Sequence, residues 1–126
     1  MNQLNVAEQL QLLAITPAAL ATVTGVTVGV DVSSFVGRGV IVLSSAAGTG
    51  TTPTLDAKLQ EADTLGGTYT DIVGGGFTQL TTAPGLQRFN IDLDGVKSFV
   101  RISETLTGTT PSFARGVSLL ALRQNR

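Results

Sequence analysis

Between residues 38 and 123 apolar and polar side chains alternate with a period of two, as strands do when one face is packed and the other wet. Along "TLDAKLQE", Leu55, Ala57 and Leu59 alternate with Thr54, Asp56, Lys58 and Gln60. Along "LQRFNIDL", Phe89, Ile91 and Leu93 alternate with Arg88, Asn90 and Asp92. In "SFVRISETL", Val100, Ile102 and Leu106 share a side that Glu104 interrupts, while Arg101, Ser103 and Thr105 share the other. "RGVIVLSS" (38–45) and "FARGVSLLAL" (113–122) are more continuously apolar, which suits central strands. Turn signals separate these runs: "SSAAGTGTTP", "TLGGTY", "VGGGF", "TTAPG", "LDG" and "TGTTPS". The pattern predicts an all-β chain: one antiparallel β-sandwich, jelly-roll-like, or a small barrel. Its expected core includes Val40, Val42, Leu55, Leu59, Phe89, Ile91, Val100, Ile102, Val117 and Leu119.

The start of the chain reads differently. "VAEQLQLLA" fits either an amphipathic helix of two turns stopped by Pro17 or an extended segment. So short a helix is marginal in water and must pack on something. Residues 1–20 are therefore read as an N-terminal arm or short helix, and residues 21–126 as the sandwich domain. "ATVTGVTVGVDVSSF" alternates Val with Thr and Gly, so Val23 to Val32 can add a strand to a neighbour or complete its own sandwich. No basic residue precedes the first apolar stretch and Glu8 interrupts it, which argues against a secretory signal. No run reaches the ~18 apolar residues of a membrane helix.

Composition narrows the chemistry. The 126 residues include no Cys and no His, which excludes disulfides, thiol nucleophiles and Ser-His-Asp catalysis. A formal net charge of −1 gives no electrostatic footprint for nucleic acid. Charged residues make up 13% of the chain, about half the usual share, so much of its surface is Thr, Ser, Gly and Gln or is covered by partners.

Three stretches invite a chemical reading. Asp92, Asp94 and Gly95 in "DLDG" have the spacing that opens a calcium loop. Val96 and Ser103 then stand where a third oxygen ligand and a bidentate Glu are needed, so a hairpin corner is the better reading. "VGGGF" lacks the Gly-Lys-Ser/Thr of a phosphate loop and reads as a turn or bulge. Glu61 with Asp63, and Asp92 with Asp94, read as solvated carboxylates, since no Trp is present to build a sugar platform. No catalytic, cofactor or metal residue is expected. Arg88, Lys97, Arg101 and Arg115 lie on the last strands; they form either a solvated face or a docking surface for an acidic partner.

The succession "TLDAKLQEAD", a Gly turn, "YTDIVGGGFTQL", "KSFVRISETLTGTTPSF" and a last apolar strand resembles small β-rich virion proteins of tailed bacteriophages, of the capsid decoration, cement or head auxiliary type. The resemblance runs from about Asp31 to Leu122. It implies a non-enzymatic structural protein, made in the host cytoplasm and carried on the capsid surface. Such a protein binds the major capsid protein, often as a homotrimer, without nucleic acid, membrane, cofactor or small-molecule substrate. Candidate partner contacts are Leu4, Val6, Leu10, Leu12 and Leu13 of the arm, with Arg88, Lys97, Arg101 and Arg115. Rival readings are a neck, tail or fibre component and a carbohydrate-binding β-sandwich, which would need exposed aromatics.

Overall fold

The computed structural model describes residues 10–123, with side chains described for 11–122. Leu4 and Val6 lie outside the described residues, as does the side chain of Leu10. Eight strands and no helix occur among the described residues: β1 (Leu10–Ala21), β2 (Gly25–Val26), β3 (Val30–Asp31), β4 (Phe35–Ser45), β5 (Thr49–Ala62), β6 (Thr70–Gly76), β7 (Gly85–Asp92) and β8 (Phe99–Arg123). The all-β sandwich expected from the alternation is what forms.

The 25-residue β8 organises everything else. Its second half pairs antiparallel with β1 on one side and β4 on the other, and β7 extends that sheet beyond β4. Its first half pairs with β2 and β3 on one side and β5 on the other, and β6 extends this second sheet. The path β6-β5-β8-β4-β7 is continuous, so the antiparallel sheet folds over on itself and nearly closes into a barrel.

One core lies between the two layers. Val100, Ile102 and Leu106 of β8 lie beside Leu55, Ala57 and Leu59 of β5 on the inner side of the second sheet; Phe113, Val117, Leu119 and Ala121 join Ile41, Leu43 and Ile91 of the first sheet. The buried positions of β8 are even-numbered before Leu106 and odd-numbered from Phe113 onward. The change of parity marks the corner where the strand leaves one sheet and enters the other.

That corner is built twice from the same residues. "TGTTP" occurs at 49–53 in β5 and again at 107–111 in β8, and the two copies lie side by side, with Thr51 opposite Thr109 and Thr54 opposite Thr107. Gly50 and Gly108 have φ of 112° and 110°, and Thr52 and Thr110 have φ of 47° and 48°. The hydroxyls of Thr54 and Thr107 hydrogen-bond each other across the bend. Two neighbouring strands thus turn together, with register shifts between Thr49 and Thr51 and between Thr51 and Thr54.

The structure decides two open expectations here and corrects a third. Residues 10–21 are strand, the extended alternative of the two, and the boundary drawn at residue 20 falls inside β1. Pairing with β8 gives this segment's backbone the hydrogen bonds that a two-turn helix would have to find alone. Val23 to Val32 completes its own sandwich: Gly25 and Val26 pair with Glu104 and Ser103, and Val30 with Val100. In β4 the core positions are Ile41 and Leu43; Val40 and Val42 face outward and are only half-buried. The other expected core residues face inward, Phe89 at its partly buried margin.

Candidate interaction surfaces

The outward faces of the two sheets differ sharply. On the first sheet the register sets Leu12, Leu120, Val40 and Asn90 in one row across the strands, and Ala14, Ser118, Val42 and Arg88 in the next. A third row brings Leu122 beside Val36, and a fourth sets Gly116, Ser44 and Leu86 together. Leu12, Leu20 and Leu86 are 71%, 67% and 75% exposed. A shallow trough of about 540 Å³ crosses this face, floored by Ala14, Ala114, Gly116 and Ser118 and walled by Leu20 and Val42. Contiguous exposed apolar surface of this kind marks a contact site.

The second sheet carries a hydrogen-bonded polar network, and Val26 and Val73 are exposed on its outer strands. Asp71 accepts hydrogen bonds from Lys58 Nζ and from Gln60 Nε2, both at 2.9 Å. Gln60 Oε1 accepts one from Arg101 Nε at 2.9 Å, and the Arg101 guanidinium lies over the Tyr69 ring, 4.1 Å from its centroid. Gln79 Nε2 donates to both carboxylate oxygens of Asp56 at 3.2 and 3.0 Å. Donation from Gln60, and then from Lys58, holds the Asp71 carboxyl below its ordinary range. A group with a lowered folded pKa stabilises the fold above the usual carboxylate range, and that contribution is lost as pH falls through the folded value. Gln60→Leu is therefore expected to move the Asp71 midpoint upward in an NMR titration. An unchanged midpoint would assign the shift to Lys58 instead.

The four cationic candidates do not form one patch. Arg88 projects from the outward face of the first sheet and Arg101 from that of the second. Lys97 lies in the β7–β8 connection, where its backbone N–H donates to Glu61 Oε1 at 3.0 Å. Arg115 is not on an outer face at all. It is 8% exposed between the layers, its Nε and Nη2 donating to the two carboxylate oxygens of Glu104, the latter at 2.6 Å. Among the arm residues, Leu12 stands on the apolar outer face, whereas Leu13 packs against the core.

The remaining motifs have structural explanations. In "DLDG" Asp92 Oδ1 accepts from the Asp94 N–H at 3.1 Å, and Asp94 Oδ1 accepts from the Gly37 N–H at 3.1 Å. Both carboxylates are tied to backbone, and the turn carries the chain from the first sheet to the second rather than closing a hairpin. The glycines of "VGGGF" belong to β6, with Gly74 at φ 78°. The seam between β6 and β7 holds a hollow of about 360 Å³ lined by Glu61, Ile72, Phe89 and Val96.

No protein-family model matches the sequence, and no curated protein matches it. Similar folds occur among solved structures. VP2 of infectious bursal disease virus, solved as a subviral particle, has a TM-score of 0.52 at 12% identity over 90% of this chain. The chain spans 32% of that VP2 chain, about a third of its length. YomS, a protein derived from the SPBc2 prophage, has a TM-score of 0.52 at 14% identity, covering 87% of this chain and 94% of its own. The xylan-binding CBM22-1 domain of Xyn10C from Paenibacillus barcinonensis has a TM-score of 0.50 at 10% identity, covering 92% and 95%. At these identities the likeness is one of fold.

Proposed function

We propose that this chain is a non-enzymatic structural protein of a tailed-bacteriophage virion, a decoration protein that docks on the major capsid protein and holds the head lattice together. One observation carries the reading: the outward face of the first sheet sets Leu12, Leu120, Val40 and Val42 side by side with Leu86 at its margin, whereas that of the second is spanned by hydrogen-bonded Gln60, Asp71 and Arg101. Such a molecule has one face to bury and one to leave in water. The resemblance of residues 31–122 to phage decoration proteins supports it, and so does a fold found in a viral capsid protein and in a prophage-derived protein.

The physics needs no reactive group. A protein that binds assembled lattice and not dispersed subunits stabilises the lattice by mass action. Many copies spanning neighbouring subunits add avidity to modest single contacts. A carbohydrate-binding role fits less well, because the ring face of Tyr69 is occupied by Arg101 and no Trp exists.

Purified protein mixed with emptied heads of the phage is expected to co-sediment with them and, in negative stain, to label the whole lattice. Leu86→Lys, on the exposed apolar face, should weaken that binding at least about tenfold, since it places a charge in a desolvated contact. Labelling confined to one vertex would reassign the protein to the neck or tail. No sedimentation with heads would end the reading.

A further inference from the structure

We propose that the cleft between β1 and the β2–β3 segment is a binding site for a small neutral aliphatic molecule that carries one hydrogen-bonding oxygen, an alcohol or a ketone. β1 belongs to the first layer, and β2 and β3 belong to the second. The cleft between them holds about 500 Å³, with Ile15 and Pro17 on one wall and Val28 and Val30 on the other. Apolar walls of this extent with a few placed polar groups are the usual form of a small-molecule site.

Both walls are fixed by the fold. The register of β1 shifts at Ala14/Thr16 and again at Thr16/Ala19. These irregularities suspend the alternation, so that the consecutive residues Ile15 and Thr16 are both buried, 2% and 4% exposed. Bulges re-aim side chains in this way. On the opposite wall the Thr27 N–H donates to the Ile102 carbonyl at 2.9 Å, and the Thr27 hydroxyl accepts from the Ile102 N–H at 2.9 Å. Gly29 lies so close under Tyr69 that a Cβ there would stand 2.1 Å from the phenol oxygen.

Thr16 points to a guest. Its side chain lines the cleft, and among the described residues its Oγ1 is buried with no hydrogen-bond partner. A hydroxyl taken out of water and left unbonded destabilises a fold, so such groups call for an explanation. Arg115 lies in the same lining. Its Nε and Nη2 are bonded to Glu104, while Nη1 reaches the Ala19 carbonyl only at 3.4 Å.

The Glu104–Arg115 pair decides the charge of the guest. The pair is already neutral, so a carboxylate would bring a second negative charge to one buried cation. An ammonium would meet the guanidinium. Either leaves a desolvated charge uncompensated. A neutral oxygen accepts from the Thr16 hydroxyl or from Nη1 and brings no charge with it, while its hydrocarbon body covers Ile15, Val28 and Val30. The inference stands independently of the proposed function.

The test uses three compounds built on one ring: cyclohexanol, cyclohexanecarboxylate and cyclohexylammonium. Each is titrated into the full chain and followed by methyl NMR. Cyclohexanol is expected to shift the methyls of Ile15, Val28 and Val30 saturably and to leave those of Leu86 in place. The two charged compounds should bind at least about tenfold more weakly. Thr16→Val keeps the shape and removes the hydroxyl. It should weaken cyclohexanol at least about threefold, and it should raise the melting temperature of the free protein, because an unbonded buried hydroxyl is gone. Val28→Trp, at a position 78% exposed, should fill the cleft and abolish the shifts with an unchanged far-ultraviolet spectrum. If a water alone serves Thr16, no compound will saturate these methyls, and the proposal fails. Carboxylate binding as tight as that of the alcohol would overturn it, as would a Thr16→Val variant that keeps the parent's affinity.

Discussion

Arg115→Ala is expected to cost the domain about 3–5 kcal/mol of stability, measured as a shift in the urea unfolding curve. The guanidinium and the Glu104 carboxylate are both nearly excluded from water, 8% and 5% exposed, and they bond in the bidentate geometry that matches their planes. The large term is what removal leaves behind, a carboxylate in an apolar interior with its partner gone. Glu104→Gln should also destabilise, since it strands the cation. Replacing both together, Glu104→Leu with Arg115→Met, should be close to neutral or stabilising, because two desolvation penalties vanish with one attraction. Equal losses for the single and double variants would show that shape, not charge, is what this pair supplies.

The second large effect belongs to the doubled corner. Gly108→Ala should cost about 2–6 kcal/mol, combining backbone strain with overpacking. At φ 110° an L side chain is disfavoured before any contact is considered. A Cβ at this position would also lie 2.7 Å from the carbonyl oxygens of both Thr51 and Thr52, which the neighbouring strand cannot withdraw without losing its own bend. Gly50→Ala should behave alike, its Cβ meeting the Thr109 and Thr110 oxygens at 2.6 Å. Thr110→Gly is the contrasting case. Thr110 holds φ 48°, costly for a β-branched residue, so relief of about 1–2 kcal/mol offsets the extra entropy that glycine loses. Thermal melts that rank Thr110→Gly below Gly108→Ala would contradict this account of the corner.

Much of this was legible in the residues. Period-two alternation located the strands from 38 to 123, and in β5, β7 and β8 it gave the correct inward side, because a polar residue between apolar ones leaves one choice of face. It failed in β4, where Val40, Ile41, Val42 and Leu43 are all apolar and either parity fits. It left the N-terminal segment open between helix and strand because a strand that borrows its partner from the far end of the chain carries no local sign of that partner. The Glu104–Arg115 pair was half-visible: Glu104 interrupts one inward row, and Arg115 falls in the inward row of Phe113, Val117 and Leu119. Reading Arg115 as surface charge put residue type ahead of register. The repeated "TGTTP" was equally present, yet two five-residue copies explain nothing until β5 and β8 are known to lie side by side. The apolar outer face depends on the same knowledge, since Leu12, Leu120 and Val40 meet only through pairing.

Five of the other seven strands find a partner in β8, although it is the last described strand in chain order. During synthesis neither layer can close until that strand has emerged: β4 can pair with β7 and β5 with β6, but β1, β2 and β3 wait for their partner. Loop closure over most of the chain then precedes the contacts that reward it, which makes folding late and slow rather than stepwise. A copy cut short within β8 would lack its axis, not merely an edge, and would be left to the cell's proteases instead of competing for a place among finished molecules.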